Sequence, residues 1–195
     1  MKKLLILLIV FFIQTININA DNLDEIKRIV VGNKNAKITI ITYESLTCSH
    51  CADFHINVYP ELKRDYIDTG IAKIEFRHFP LDIAALNASK ISQCENDGRS
   101  EILNSLYINQ QKWVKGKSIE EVNVNLEKFL STEGFNIDFN QCTTDKKIED
   151  FILNDRIEGV KKFKVNATPT IIINDKKFEK SLNYKNLKKS LEKLI

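Results

Sequence analysis

The thirteen residues TYESLTCSHCADF, from Thr42 to Phe54, place Cys48 and Cys51 three positions apart, shortly after a β-branched stretch. That stretch, residues 37–43, reads KITIITY and predicts a largely buried strand. The apolar residues that follow the cysteines recur at helical spacing, which predicts a helix. Cys48 is therefore expected at the N-terminus of this helix, with Cys51 across its first turn.

A cysteine at a helix N-terminus lies beside free backbone N–H groups and the positive end of the helix dipole, so its thiolate is stabilised and its pKa is lowered. We expect Cys48 to be this reactive thiol and Cys51 to be its less accessible disulfide partner. His50, between them, can donate a hydrogen bond or carry positive charge near Cys48. Because a stabilised thiolate makes the disulfide a stronger oxidant, the motif predicts dithiol–disulfide exchange through a mixed disulfide on Cys48.

Other functions for the cysteine motif compete with redox exchange. A structural zinc site usually needs four nitrogen or sulfur ligands, so Cys94 and Cys142 would have to converge on the motif. The pair could also be buried and inert, or form a purely structural disulfide, although so short a loop constrains little chain entropy. The spacing and the strand-to-helix position favour the redox role, and we expect no bound metal.

A second motif lies far along the chain. The sequence NATPTIII places Thr168 and Pro169 directly before an apolar strand. Proline restricts Thr168 to an extended conformation, and peptide bonds before proline are the only ones with an appreciable cis population. We expect this proline, the cysteine motif and the central strands to form one constellation.

The remaining segments predict a mixed α/β chain. The predicted strands are residues 26–31, 37–43, 71–79 and 170–174, and the last forms a hairpin with 176–179. One predicted helix follows the cysteine motif and has a kink at Pro60. Further helices are predicted at 84–113 with a break at Gly98, at 119–130, at 145–163 and at the C-terminus. Residues 131–139 are expected to be a connection. We therefore predict an α/β frame that is split by an all-helical insert at about residues 81–158.

The first twenty residues have the layout of a secretory signal peptide. Lys2 and Lys3 precede the apolar run Leu4–Ile13, and Ala20 ends a polar stretch. We expect residues 1–20 to be removed on export, with an uncleaved N-terminal anchor as the alternative. Export would take the cysteines to a compartment where disulfides persist.

Charge patterning bears on the class of partner. The chain carries 29 basic and 26 acidic side chains, a formal net charge of +3, which falls to +1 without the predicted signal peptide. Basic pairs such as Lys146-Lys147 alternate with acidic residues, as on solvated helix faces. This balance offers no electrostatic case for binding nucleic acid or a membrane surface.

Four features of the chain occur together in one known family. They are Cys48-Ser49-His50-Cys51, Thr168-Pro169, the continuation YPELKRDYIDTG from Tyr59 to Gly70, and the helical insert. Over roughly residues 26–195 the chain thus resembles the DsbA family of periplasmic dithiol–disulfide oxidoreductases, within the thioredoxin superfamily. The resemblance implies a thioredoxin-like α/β fold with an inserted all-helical subdomain, in one domain of residues 21–195.

The resemblance also implies roles for the site residues. Cys48 would be the nucleophile and Cys51 the resolving cysteine. Ser49, Thr168 and Pro169 would meet the substrate, with Pro169 as a cis-proline facing the cysteines and the Thr168 backbone pairing with bound peptide. No cofactor is implied beyond the redox-active disulfide.

The implied partners are reduced or unfolded exported proteins as substrates and a quinone-linked membrane oxidase that recycles the disulfide, all in the periplasm. Only a few residues separate the predicted signal peptide from the first strand, so we expect a monomer without a dimerisation segment. A disulfide isomerase or reductase would use the same chemistry and is an alternative function. A cysteine-based metal-binding or surface interaction protein is another.

Two positions depart from the family pattern. Ser49 stands where the commonest family motif has proline. Thr42 stands where a buried acid often lies, six residues before the first cysteine, and the nearest acid is Glu44. Glu44 either replaces that acid or faces solvent.

Several other residues have structural interpretations. Cys94 and Cys142 lie outside any CXXC motif, which favours a structural disulfide between two helices over a second redox pair or two separate thiols. We expect His55 to be a surface or packing histidine and His78 a satisfied core or edge histidine. The remaining expectations are a core position for Trp113 and a peptide-binding surface near the motif that could include Leu46.

Overall fold

The computed structural model describes residues 26–94 and 101–195; the predicted signal peptide and the predicted break at Gly98 lie outside these ranges. The strands are β1 Ile29–Gly32, β2 Ile38–Glu44, β3 Ala72–His78, β4 Thr170–Ile173 and β5 Lys176–Lys177. The helices are α1 Ser49–Asn57, α2 Tyr59–Leu62, α3 Ile83–Gln93, α4 Glu101–Ile108, α5 Gln110–Trp113, α6 Ile119–Thr132, α7 Phe139–Thr144, α8 Lys146–Phe163 and α9 Tyr184–Leu191, with a π-helical turn at Lys63–Ile67.

The strands form one mixed sheet in the order β1-β3-β2-β4-β5. β2 lies at its centre, parallel to β3 and antiparallel to β4, so that Ile40 is opposite Ile74 on one side and Ile173 on the other. β1 and β5 pair antiparallel at the two edges. The predicted strand, helix, strand order around the cysteine motif is confirmed.

Both faces of the sheet are covered. Ile38 and Ile40 of β2 belong to the main core, which α1, α2, α9 and the helical insert share. Ile41 and Tyr43 point to a second core on the opposite face, as the two-residue period of a strand requires. There α8 approaches so closely that a Cβ at Gly159 would lie 2.7 Å from the Tyr43 ring. β2 is therefore buried on both faces, as its β-branched sequence predicts.

The helix after the cysteines is interrupted where proline predicts a kink. α1 ends at Asn57, and α2 carries Pro60 in its first turn, where the missing proline N–H removes no intrahelical hydrogen bond. The π-helical turn then adds one residue to the following turn. This break lets the first part of the helix present the cysteines while the second part packs against the sheet.

The hairpin after Pro169 is tight. Asn174 and Asp175, between β4 and β5, both have positive φ, 46° and 63°. Such pairs suit the two-residue turns whose twist matches that of the strands. The predicted hairpin is confirmed, although β5 covers only Lys176–Lys177 rather than 176–179.

The helices between β3 and β4 continue past the predicted end of the insert. Its helices run from Ile83 to Phe163, so the expected end near residue 158 falls inside α8. α7, which follows the N-cap Asp138, lies where the sequence predicts no helix. Trp113 is fully buried in the main core, as predicted, and its Nε1 donates to the Leu106 carbonyl at 2.9 Å.

Ion pairs join the insert to the sheet edge. Arg28, just before β1, pairs with the buried Asp155 of α8. Arg77 of β3 pairs with Glu158 of α8, with its Nη1 2.8 Å from Glu158 Oε2. His78 is buried as expected and its Nε2 lies 3.2 Å from Gln93 Oε1.

Within residues 26–94 and 101–195, no helix is both long enough and apolar enough to span a membrane.

Candidate redox site

The cysteine motif lies where β2 passes into α1. Cys48 is the N-cap residue of α1 with extended backbone angles, and its N–H donates to the Ser45 carbonyl at 3.0 Å. Cys48 is half-buried and Cys51, one turn into the helix, is fully buried; both are free thiols. One sulfur can thus reach another molecule while its partner is shielded, as the sequence predicts.

The second motif lies next to Cys48, since β2 ends and the antiparallel neighbour β4 begins at the same end of the sheet. The peptide bond between Thr168 and Pro169 is cis. The Cys48 Sγ lies 3.3 Å from the Thr168 carbonyl oxygen, although the two residues are 120 positions apart. The structure therefore brings Cys48, Thr168 and Pro169 to one place.

The two thiols have opposite electrostatic environments. A hydrogen bond from the Cys51 thiol, helped by Thr168 and by the backbone N–H groups of Cys51 and His50, lowers the pKa of Cys48 to about 5 despite its partial burial. Burial, the hydrogen bond to Cys48 and the nearby charge of Glu44 all raise the pKa of Cys51. At neutral pH Cys48 is the thiolate and Cys51 the thiol.

The His50 imidazole lies at the protein surface. It points outward with 82% of the side chain exposed, and its Nδ1 lies 3.9 Å from Asp53 Oδ2. The backbone N–H of His50, rather than the ring, stabilises the Cys48 sulfur. Early in a helix the N–H groups point back to the N-cap while this side chain points to solvent. Ser49 is likewise exposed beside Cys48.

Glu44 is buried beneath the motif, so the expectation that it might face solvent is wrong. Only 2% of the residue is exposed. Its Oε1 accepts a hydrogen bond from the Thr42 hydroxyl, and its Oε2 lies 2.7 Å from His55 Nε2. Thr42 and Glu44 are two residues apart on β2, hence on the same face. The buried acid of the site is therefore Glu44, and Thr42 donates a hydrogen bond to it.

His55 is a buried partner of this acid. It is 1% exposed, and its ring stacks on Tyr107 with centroids 4.0 Å apart. The prediction of a packing histidine holds, but its pairing with Glu44 was missed. The available signal was spacing, because His55 lies four residues after Cys51 and thus on the same buried face of α1.

The apolar surface beside the site differs from the expected one. Leu46 is fully buried and belongs to the main core, so it cannot contact a substrate. Leu81 and Ile83 are 52% and 64% exposed. They flank Asp82, whose carboxylate accepts a hydrogen bond from Thr47, next to Cys48, at 2.8 Å. An exposed apolar surface thus adjoins the motif.

The remaining cysteines form a separate pair. Cys94, at the end of α3, is bonded to Cys142 of α7 with Cα atoms 5.6 Å apart. They are therefore not additional ligands for the motif. Within the part of the chain that the structure describes, no group of three or more His, Cys, Asp or Glu side chains could hold a metal ion.

Comparisons with known proteins agree with this geometry. A family model described as "Thioredoxin" matches residues 24–193. A putative protein-disulfide oxidoreductase of Rickettsia conorii is 29% identical over 74% of this chain and 52% of its own length, so the chain spans about half of that relative. Disulfide bond formation protein D of Bacillus subtilis is 25% identical over 84% of this chain and 75% of its own length.

A solved structure gives the more specific match. The crystal structure of Wolbachia pipientis alpha-DsbA1 superposes with a TM-score of 0.77 and 32% sequence identity, over 86% of this chain and 90% of that protein. The match spans both the sheet and the helical insert. The chain therefore belongs to the DsbA family of the thioredoxin superfamily.

Proposed function

We propose that this protein is an exported dithiol–disulfide oxidoreductase that donates its Cys48–Cys51 disulfide to reduced cysteines of other exported proteins. The observation that carries the proposal is the asymmetry of the pair. Cys48 is half-buried, at a helix N-terminus and beside Thr168, whereas Cys51 is fully buried behind it. The disulfide oxidoreductase names of the relatives support the same activity.

The reaction follows from this asymmetry. A substrate thiolate attacks the Cys48 sulfur, the bond to Cys51 breaks, and Cys51 takes up a proton. The resulting mixed disulfide joins Cys48 to the substrate. A second substrate thiolate then attacks the substrate sulfur, so the substrate gains a disulfide and Cys48 leaves as a thiolate. Two electrons now reside on the protein as reduced Cys48 and Cys51.

The stabilised Cys48 thiolate supplies the driving force. A thiolate with a low pKa is a good leaving group, and its stability favours the reduced form of the enzyme. The pair therefore acts as an oxidant of substrate thiols. Backbone N–H groups and the Cys51 thiol provide this stabilisation, so it does not depend on the exposed His50 ring.

The buried Glu44–His55 pair handles the proton of Cys51. Cys51 cannot persist as a thiolate in its buried position, because burial and the charge of Glu44 both disfavour the anion. His55 lies on the same buried face of α1 as Cys51, and its partner Glu44 is close enough for its charge to raise the pKa of the Cys51 thiol. They donate a proton when Cys51 leaves and accept it when Cys51 attacks.

Two kinds of partner follow from the exposed apolar surface beside the motif and from the two electrons that the enzyme takes up. The exposed Leu81 and Ile83 suit contact with apolar segments of unfolded substrates. The reduced enzyme needs an oxidant, and a quinone-linked membrane oxidase is the partner that membership of the family suggests. The signal-peptide layout of residues 1–20 supports action in the periplasm.

Two measurements test this function. The purified protein is equilibrated with reduced and oxidised glutathione, and Cys51→Ala is expressed in cells to trap mixed disulfides. We expect a strongly oxidising couple and trapped exported proteins that contain cysteine pairs, with no trapping when Cys48→Ser is added. A strongly reducing couple would indicate a reductase instead. Stoichiometric zinc without exchange, or trapping that survives Cys48→Ser, would overturn the proposal.

A further inference from the structure

One face of the helical insert lies directly against the redox helix. Asn104, Tyr107 and Gln110 follow one another at three-residue intervals along α4 and α5. Asn104 Oδ1 lies 3.5 Å from His55 Nδ1, and the Tyr107 ring stacks on the same histidine. Gln110 reaches the other end of the motif. The insert thus contacts α1 from its N-cap to its second turn.

Gln110 is a buried polar residue among the buried apolar residues Leu103, Leu106 and Trp113 of the same helices. Only 4% of the residue is exposed. Its Nε2 donates to the Leu46 carbonyl at 2.8 Å and to the Cys48 carbonyl at 3.0 Å. A carboxamide nitrogen carries two hydrogens, so both donors are used. A buried amide would be unfavourable without such partners, which explains a glutamine at this position.

The two carbonyls that Gln110 binds control the start of α1. Leu46 and Cys48 flank the last turn of the loop between β2 and α1. The Cys48 carbonyl also accepts the helix bonds from the N–H groups of Cys51 and Ala52, at 3.1 and 3.2 Å. Gln110 therefore fixes the peptide group from which the first helical turn is built.

That peptide group also sets the environment of the reactive sulfur. The backbone N–H groups of His50 and Cys51 help to lower the pKa of the Cys48 thiol, and their direction depends on the orientation of the first turn. During exchange the sulfur changes from a bond with Cys51 to a bond with substrate and then to a free thiolate. The backbone must keep its direction through all three states.

The short helix α5, which carries Gln110, is itself held in place. α5 is held on α4 by the fully buried Trp113, whose Nε1 donates to the Leu106 carbonyl. Water could satisfy the Leu46 and Cys48 carbonyls but could not fix their direction. A side chain from a separately packed helix can do both.

We propose that Gln110 is a positioning residue through which the helical insert holds the N-terminus of α1 in one orientation during disulfide exchange. The inference rests on the proposed function, because it concerns the same site. The insert would then tune the reactivity of Cys48 as well as shape the surface around it.

Gln110→Met tests this role because it keeps the length and most of the volume of the side chain but removes both donors. We expect the pKa of Cys48, read from thiolate absorbance against pH, to rise. The glutathione equilibrium should shift by about three- to tenfold towards the disulfide form of the enzyme, the effect of one net hydrogen bond.

Gln93→Met is the matched control. Gln93 is also 4% exposed, and its Nε2 donates to a backbone carbonyl, that of Lys27, remote in sequence from the motif. Both variants should unfold at lower temperature, but only Gln110→Met should change the Cys48 pKa and the equilibrium. Equal values for both variants would overturn the proposal.

A measurement on the wild-type protein keeps the inference testable if Gln110→Met does not fold. The two side-chain amide protons of Gln110 should be protected from solvent exchange in both the oxidised and the reduced protein. Rapid exchange in either state would contradict a fixed anchor. A wild-type protein that does not react with glutathione would refute the proposed function, whereas the amide protection would still report on Gln110.

Discussion

Cys48 and Cys51 are three residues apart on one helix, yet their surroundings drive their pKa values in opposite directions. Cys48 meets hydrogen-bond donors at the helix N-terminus, whereas Cys51 is enclosed by apolar side chains and lies near the charge of Glu44. The first difference follows from position in the helix, and the second requires the packed core. This asymmetry is the basis for proposing Cys48 as the nucleophile.

The first prediction at the residue scale is the pH dependence of Cys48. In the reduced protein its pKa falls from the ordinary value of 9.0 to about 5. Its rate of alkylation by iodoacetamide should therefore have a midpoint near pH 5 and a plateau above it. Cys51→Ala serves as a comparison that lacks the Cys51 hydrogen bond, so its midpoint should be higher. A wild-type midpoint between pH 8 and 9, the range of ordinary cysteines, would contradict the assignment.

The same shift links stability to pH. The folded pKa is depressed, so the stabilisation of the reduced form is fully present above the unfolded value near 9 and is lost as the pH falls through about 5. Between these limits, the free energy of unfolding of the reduced protein should rise with pH relative to that of the oxidised protein.

The second residue-scale prediction concerns Glu44→Gln. The substitution removes a proton acceptor close to Cys51 while keeping the size of the side chain. The release of a small thiol from a mixed disulfide on Cys48, a step in which Cys51 attacks, should slow by about tenfold or more at neutral pH. Stopped-flow measurement of the released thiol gives the rate.

Asp53→Asn is the control for this variant, because it removes an exposed carboxylate on the same helix. It should release the thiol at the wild-type rate. If Glu44→Gln did so too, the Glu44–His55 pair would have no part in moving the proton.

At the scale of elements, periodicity predicted some segments well and others poorly. β2 and β4 are short, β-branched and buried on both faces, so their sequences were sufficient. α7 has six residues with only Phe139 and Cys142 buried, too few to establish a helical period. The predicted end of the insert falls inside α8, because a continuous helix shows no break in sequence where its packing partners change.

The Cys94–Cys142 disulfide joins two of these elements, and we expect its role to be structural. It links residues 48 apart, so its removal should lower the free energy of unfolding by at most about 4 kcal/mol in the chain-entropy model. Cys94→Ser combined with Cys142→Ser should therefore unfold at lower denaturant concentration and keep its exchange activity. A large loss of activity at unchanged stability would show that this pair takes part in the redox chemistry.

At the scale of the whole molecule, the insert and the sheet share one core. Leu103, Leu106 and Trp113 of the insert lie in the same apolar core as Phe54 of α1 and Ile40 of β2. The second face of the sheet is covered by α8, which closes on Tyr43 and is tied to the sheet edge by ion pairs. The insert is therefore part of the support of the redox site.

The residues alone were enough to predict the CXXC motif, the strand before it, the helix after it and the role of the proline next to Thr168. These features depend on local spacing and on the conformational limits of proline. Three other features are visible only in the folded protein: Glu44 is buried against His55, the His50 ring is exposed, and Gln110 binds the Cys48 carbonyl. Those outcomes depend on which distant elements pack against α1, and local periodicity does not specify those elements.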